Sequence, residues 1–194
     1  GVRHLVRVDR LKAVKVFKGF ARLGGEERDP PEIVLPDIVG ESDWLPAIEL
    51  YGEGIFLALD EERLKKWEQT PAVVSRLDSL LPRFAQSGGF IRPRFAQSGR
   101  DDPNPLTARF MLLHTLSHLL MRQIESEGGY TAASLSERLY CNTKEPMAGI
   151  LIHVAVPDIA GSLGGLAELS EPRRFLGILI RALEHSRWCS LDPV

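Results

Sequence analysis

Cysteine is nearly absent from this chain. Cys141 and Cys189 are the two in 194 residues, too few for the disulfide framework of small secreted domains, so a reducing, cytoplasmic setting is expected. No apolar run approaches the roughly 18 residues a membrane-spanning helix needs, and no signal peptide opens the chain. The net charge is only −2, so bulk charge argues for neither nucleic acid nor membrane. Catalytic signatures are missing too. There is no Walker loop ending in Lys-Ser/Thr, no GxGxxG fingerprint and no GxSxG elbow around Ser162. No enzyme is expected from this chain alone. It also lacks an initiator Met, opens inside an apparent strand and closes on Asp192-Pro193-Val194, and so reads as a piece of a longer protein.

What is present is ordinary globular composition, 44% hydrophobic and 26% charged, enough for one substantial core. Charge is laid out in blocks. Residues 1–23 carry seven Lys/Arg against Asp9, residues 24–62 twelve acids against Arg28, and residues 76–123 seven Arg against three Asp. Such blocks are either solvated faces or interaction surfaces.

Residues 1–23 interleave Val14, Val16 and Phe20 with Lys15, Lys18 and Arg22, which predicts a partly exposed strand with a basic outer face. The Pro-rich acidic stretch 24–43 reads as a surface loop. Ile48/Leu50 and Phe56/Ala58 around Gly52-Glu53-Gly54 predict a hairpin. Asp60 caps a short helix, and Thr70-Pro71 starts another that runs through Leu81. Residues 82–105, in which RFAQSG occurs twice, read as a mobile basic loop. Phe110, Leu113, Ser117, Leu120 and Ile124 mark a buried helix that Gly128-Gly129 ends. Ser134-x-x-Glu137 has capping-box spacing and predicts a short helix through Tyr140. Gly149–Val156 is an apolar strand, and Pro172–Arg187 is a closing helix. The order predicts an α+β fold, a small sheet with a buried central helix and a strand, Gly-rich turn and helix unit. Three parts are expected: 1–81, 82–105 and 106–194.

His114 and His118 stand at i, i+4, the spacing that lets two imidazoles meet one zinc. The metalloprotease form needs Glu after the first His, and Thr115 is there instead. A buried hydrogen-bonded network of His114, Ser117 and His118 is the favoured reading. PDIAGSLGGL, with Asp158, Gly161, Gly164 and Gly165, either presents N–H groups to an anion or makes a tight turn needing positive φ. The turn is favoured. Arg83, Arg92, Arg94 and Arg100 are candidate contacts to nucleic-acid phosphates.

HTLSHLL, the GGY and SLSERLY segments, GILIHVAVPDIAGSLGGL and WCSLDP resemble the MrfA-like zinc-binding domain, a family associated with bacterial helicases. The resemblance covers about residues 106–194. The first half, through RVDRLKAVKVFKGFARL and WLPAIELYGEGIFLALDEERLKKWE, resembles the DrmB proteins of DISARM phage defence. The resemblance implies a helicase partner of the DrmA type, DNA as target, and a cysteine cluster for zinc of which Cys189 is the first member. The other members are expected beyond Val194, so zinc is expected in the full-length protein and none in this chain. The alternative is the zinc-binding tail of an ATP-dependent DNA repair helicase.

Overall fold

The computed structural model describes residues 1–20, 34, 36, 43–86, 106–131, 133–142, 146–156 and 165–186. The chain forms strand β1 (Val2–Val16), strand β2 (Ala47–Leu59), helix α1 (Glu61–Glu68), helix α2 (Pro71–Gln86) and helix α3 (Ala108–Gly128). Strand β3 (Ser136–Asn142), strand β4 (Met147–Val156), helix α4 (Gly165–Glu168) and helix α5 (Pro172–His185) follow. The four strands make one antiparallel sheet in the order β1-β2-β4-β3. The expected α+β class holds.

Local chemistry sets several boundaries. Asp60 accepts from the Arg63 N–H at 2.9 Å and opens α1, as its position predicts. Pro71 begins α2, and Thr107 caps α3 by accepting from the Phe110 N–H at 3.1 Å. Gly129 ends α3 in the left-handed region at φ 71°, where an L side chain is strained. Helix α2 continues to Gln86, with Pro82 inside it, so it enters the stretch expected to be loop. Residues 87–105 lie outside the described residues.

Two expected elements are different. Gly52-Glu53-Gly54 is no turn: β2 runs straight through it. A Cβ at Gly52 would stand 1.8 Å from the Val154 carbonyl oxygen, and one at Gly54 2.5 Å from that of Ile152. The glycines serve close strand approach rather than chain reversal. Ser134–Tyr140 is no helix either. The Ser134 hydroxyl closes a turn on the Thr131 carbonyl at 2.7 Å, and Ser136 onward pairs with β4, Leu139 opposite Ile150. Here cross-strand pairing outweighs a local capping pattern.

The core lies between one sheet face and the helices. Ile55 and Leu57 of β2, Leu139 of β3, and Ile150 and Ile152 of β4 meet Leu113, Leu120 and Ile124 of α3 in one buried cluster. Fully burying a side chain of this size contributes about 1.5–3 kcal/mol, and those three α3 residues are 0% exposed. Phe175, Ile178 and Ala182 bring α5 into the same cluster. Helix α5 is further tied to α3 by Arg181, which donates to both Glu127 oxygens at 2.6 and 2.5 Å. Among the described residues no helix is long and apolar enough to cross a membrane.

Candidate functional site

One flank of α3 faces β3, and there the histidines of the HTLSH segment meet a carboxylate. One helical turn separates His114 from His118, and their Nε2 atoms are 3.0 Å apart. Glu137 projects from β3 on the core side, two residues before the buried Leu139. Its Oε1 lies 3.5 Å from Nε2 of His114 and 3.4 Å from Nε2 of His118. The Phe110 ring stacks on His114 at 5.6 Å between centroids, 11° from parallel. Three atoms able to ligate thus point to one small space.

Burial across the cluster is uneven. The side chains of His114 and His118 are 41% and 54% exposed, that of Glu137 only 6%. Burial holds His114 below the ordinary imidazole pKa, with His118 adding to the depression and Glu137 opposing it. Ser117 takes no part in the cluster. It is fully buried, with its hydroxyl 3.9 Å from the Met121 sulfur. The expected buried network of His114, Ser117 and His118 is therefore corrected: Ser117 is turned about 100° around the helix from His118 and points into the core, while both histidines sit at the solvent-facing edge of that face. Glu137, expected as a helix-capping residue, is the group that sequence reasoning placed in the wrong role.

At the end of the Gly-rich segment, Glu53 fills the place an external anion would take. It is 1% exposed and accepts from the Leu166 and Ala167 N–H groups at 3.0 and 3.2 Å. Gly165 starts α4 without positive φ. Its lack of a side chain matters because a Cβ would stand 2.6 Å from the Tyr130 hydroxyl. Asp158, Gly161 and Gly164 lie outside the described residues.

Arg109 is a third group that the sequence hides. Counted by position it belongs to the basic segment, yet it is 1% exposed. Its Nε and Nη2 donate to Glu68 at 2.9 and 3.1 Å, and Nη2 and Nη1 to Glu61 at 2.7 and 3.1 Å. Nη1 also donates to the Asn142 carbonyl at 2.8 Å. Burial alone would lower its proton affinity, but the two carboxylates outweigh burial and raise it. The guanidinium fork joins α1, α3 and β3, which removes it from any nucleic-acid surface.

Of the other arginines, Arg83 is exposed on α2, and Arg92, Arg94 and Arg100 lie outside the described residues. On β1, Arg7 is paired with Asp9 and Glu168, and Lys12 with Glu49. Arg3, Arg10 and Lys15 are exposed, with no ion pair among the described residues. Cys189 lies outside the described residues. Cys141 stands beside Arg109, and burial pushes its thiol above the ordinary range, which disfavours the thiolate a metal needs.

No family model matches the chain, so the resemblance of residues 106–194 to the MrfA-like domain stands without that support. The chain is similar to the DISARM protein DrmB of Bacillus paralicheniformis, 34% identical over 196 aligned residues. The alignment takes in 97% of this chain and 33% of the relative, so the chain spans about a third of that protein's length. Identity at this level over nearly the whole chain supports a DrmB-like relationship.

Proposed function

We propose that the chain is a non-catalytic accessory module of a DrmB-like protein that partners a superfamily-2 helicase in DNA-targeting phage defence. The observation that carries this reading is the 34% identity to DrmB across 97% of the chain. The arrangement of charge is consistent with a scaffold that touches DNA backbone. Arg3, Arg10 and Lys15 on β1, Arg83 on α2 and Arg122 on α3 are exposed cations, and phosphate neutralisation by such groups supplies most sequence-independent affinity. Arg7, Lys12 and Arg109 are set aside because carboxylates already engage them. In the longer protein Cys189 would supply the first thiolate of the zinc cluster that the MrfA-like resemblance implies.

Two measurements on the full-length protein test this. Affinity purification from a cell carrying the defence locus should recover a helicase subunit of the DrmA type, and a preparation without any helicase would sink the partnership. DNA affinity should fall with salt, and neutralising Arg10 and Lys15 together should reduce the log–log slope by about two. A slope near zero in the unaltered protein would remove DNA contact from the proposal.

A further inference from the structure

The geometry points to a divalent metal site formed by His114, His118 and Glu137, taking zinc as its ion and joining α3 to β3. No thiol takes part in it. The three ligand atoms form a nearly equilateral triangle with sides of 3.0, 3.4 and 3.5 Å. Zinc bound at about 2.0–2.1 Å to nitrogen and oxygen in a tetrahedron separates its ligands by about 3.3 Å. The triangle therefore matches one face of that tetrahedron.

A second observation is independent of the spacing. Glu137 is nine-tenths buried, and its Oε2 is enclosed without a hydrogen-bond partner. Its Oε1 faces the two imidazole nitrogens at distances longer than a good charge-assisted hydrogen bond. A buried carboxylate left in this state costs free energy unless a cation compensates it. The two Nε2 atoms can share a single proton between them, which satisfies the histidines and leaves the carboxylate unserved. A zinc ion on the three ligand atoms would hold both imidazoles and neutralise the buried carboxylate through Oε1.

The ligand set selects the metal class. Two imidazoles disfavour magnesium and calcium, which take oxygen ligands, and suit borderline ions such as zinc. Both histidines reach solvent, so a water can complete the coordination, and the Phe110 ring fixes the plane of His114.

The test uses the 194-residue chain stripped with a chelator, beside a thiol-free form carrying Cys141→Ser and Cys189→Ser. Zinc titration against a competing dye should give one equivalent bound in both, and cobalt should give a visible d–d spectrum without sulfur charge transfer. Since three protein ligands are the usual minimum for zinc, His118→Ala should weaken binding by on the order of 100-fold and Glu137→Gln by at least about tenfold. Zinc should raise the melting temperature of the parent and leave that of His118→Ala unchanged. His118 is exposed, so far-UV circular dichroism is expected to show that variant folded; Glu137→Gln is nearly isosteric and provides a second reading. Zinc binding that disappears with the thiols, or that changes less than threefold in both ligand variants, overturns the site. So does the absence of zinc binding by a folded parent chain at about 100 μM, since a three-ligand site should be occupied there.

Discussion

Replacing Arg109 by alanine takes away a guanidinium whose five N–H donors serve Glu61, Glu68 and the Asn142 carbonyl. The carboxylates stay behind, 13% and 20% exposed, facing each other without the cation between them. Removing one partner from a buried ion pair costs about 3–5 kcal/mol. Both carboxylates keep some access to water, so the lower end applies, about 3 kcal/mol. For a chain of this size that corresponds to a fall in melting temperature of about 6–12 °C. Arg109→Lys keeps the charge but loses the planar fork and should cost about 1–2 kcal/mol. Combining Arg109→Met with Glu61→Gln and Glu68→Gln removes the stranded charges and should recover more than half of the loss. Urea unfolding followed by far-UV circular dichroism measures all four chains. An alanine variant within about 1 kcal/mol of the parent, or a penalty that the glutamine pair leaves untouched, would refute the claim that this charge cluster locks α1 to α3.

Further expectations follow from neighbouring features. Glu53→Ala leaves the Leu166 and Ala167 N–H groups buried without their acceptor, and should cost about 2–4 kcal/mol in urea unfolding. Gly52→Ala drives a methyl against the Val154 carbonyl, where backbone must move, and should cost about 3 kcal/mol or leave the chain insoluble on expression. His153 on β4 has its pKa lowered by burial, with Arg138 and Lys15 adding to the depression. The unfolded chain therefore takes up this proton first as pH falls through about 6.5, and stability present above that value is lost below it. The melting temperature should be lower at about pH 5.5 than at about pH 7.5, and His153→Gln should narrow the difference; an unchanged difference would clear His153 of the effect.

Features that depend on one stretch of chain were legible in the sequence. The α3 stripe, the Asp60 cap, the Pro71 start and the Gly129 stop each act within a turn or two of helix, and each stands where its residues place it. The misread segments depend on partners far along the chain. Gly52 and Gly54 carry a turn signature, and only the passage of β4 explains them as points of close approach. Ser134-x-x-Glu137 carries a cap signature, while Glu137, Leu139 and Cys141 also alternate with Arg138 and Tyr140 at the period of a strand. Pairing with β4 decides between those readings. The site divides in the same way. The spacing of His114 and His118 was readable, whereas Glu137 joins them only once β3 is laid beside α3. Arg109 offered one weak clue, since Glu61 and Glu68 lie seven apart and so share a face of α1.

The sheet order leaves β1 with a strand neighbour on one side only, among the described residues. Fifteen residues of extended chain at a sheet margin form a template that a second copy could extend, and proteins commonly guard such margins with charged side chains. Arg3, Arg10 and Lys15, which have no ion pair among the described residues, place like charge along β1. Such cations would oppose the pairing of β1 with a second copy, whatever else they contact. Apolar replacements made to weaken phosphate binding would unguard the margin and invite aggregation, confounding the result. Glutamate at Arg10 and Lys15 abolishes attraction for phosphate while leaving the strand charged, which makes it the cleaner substitution.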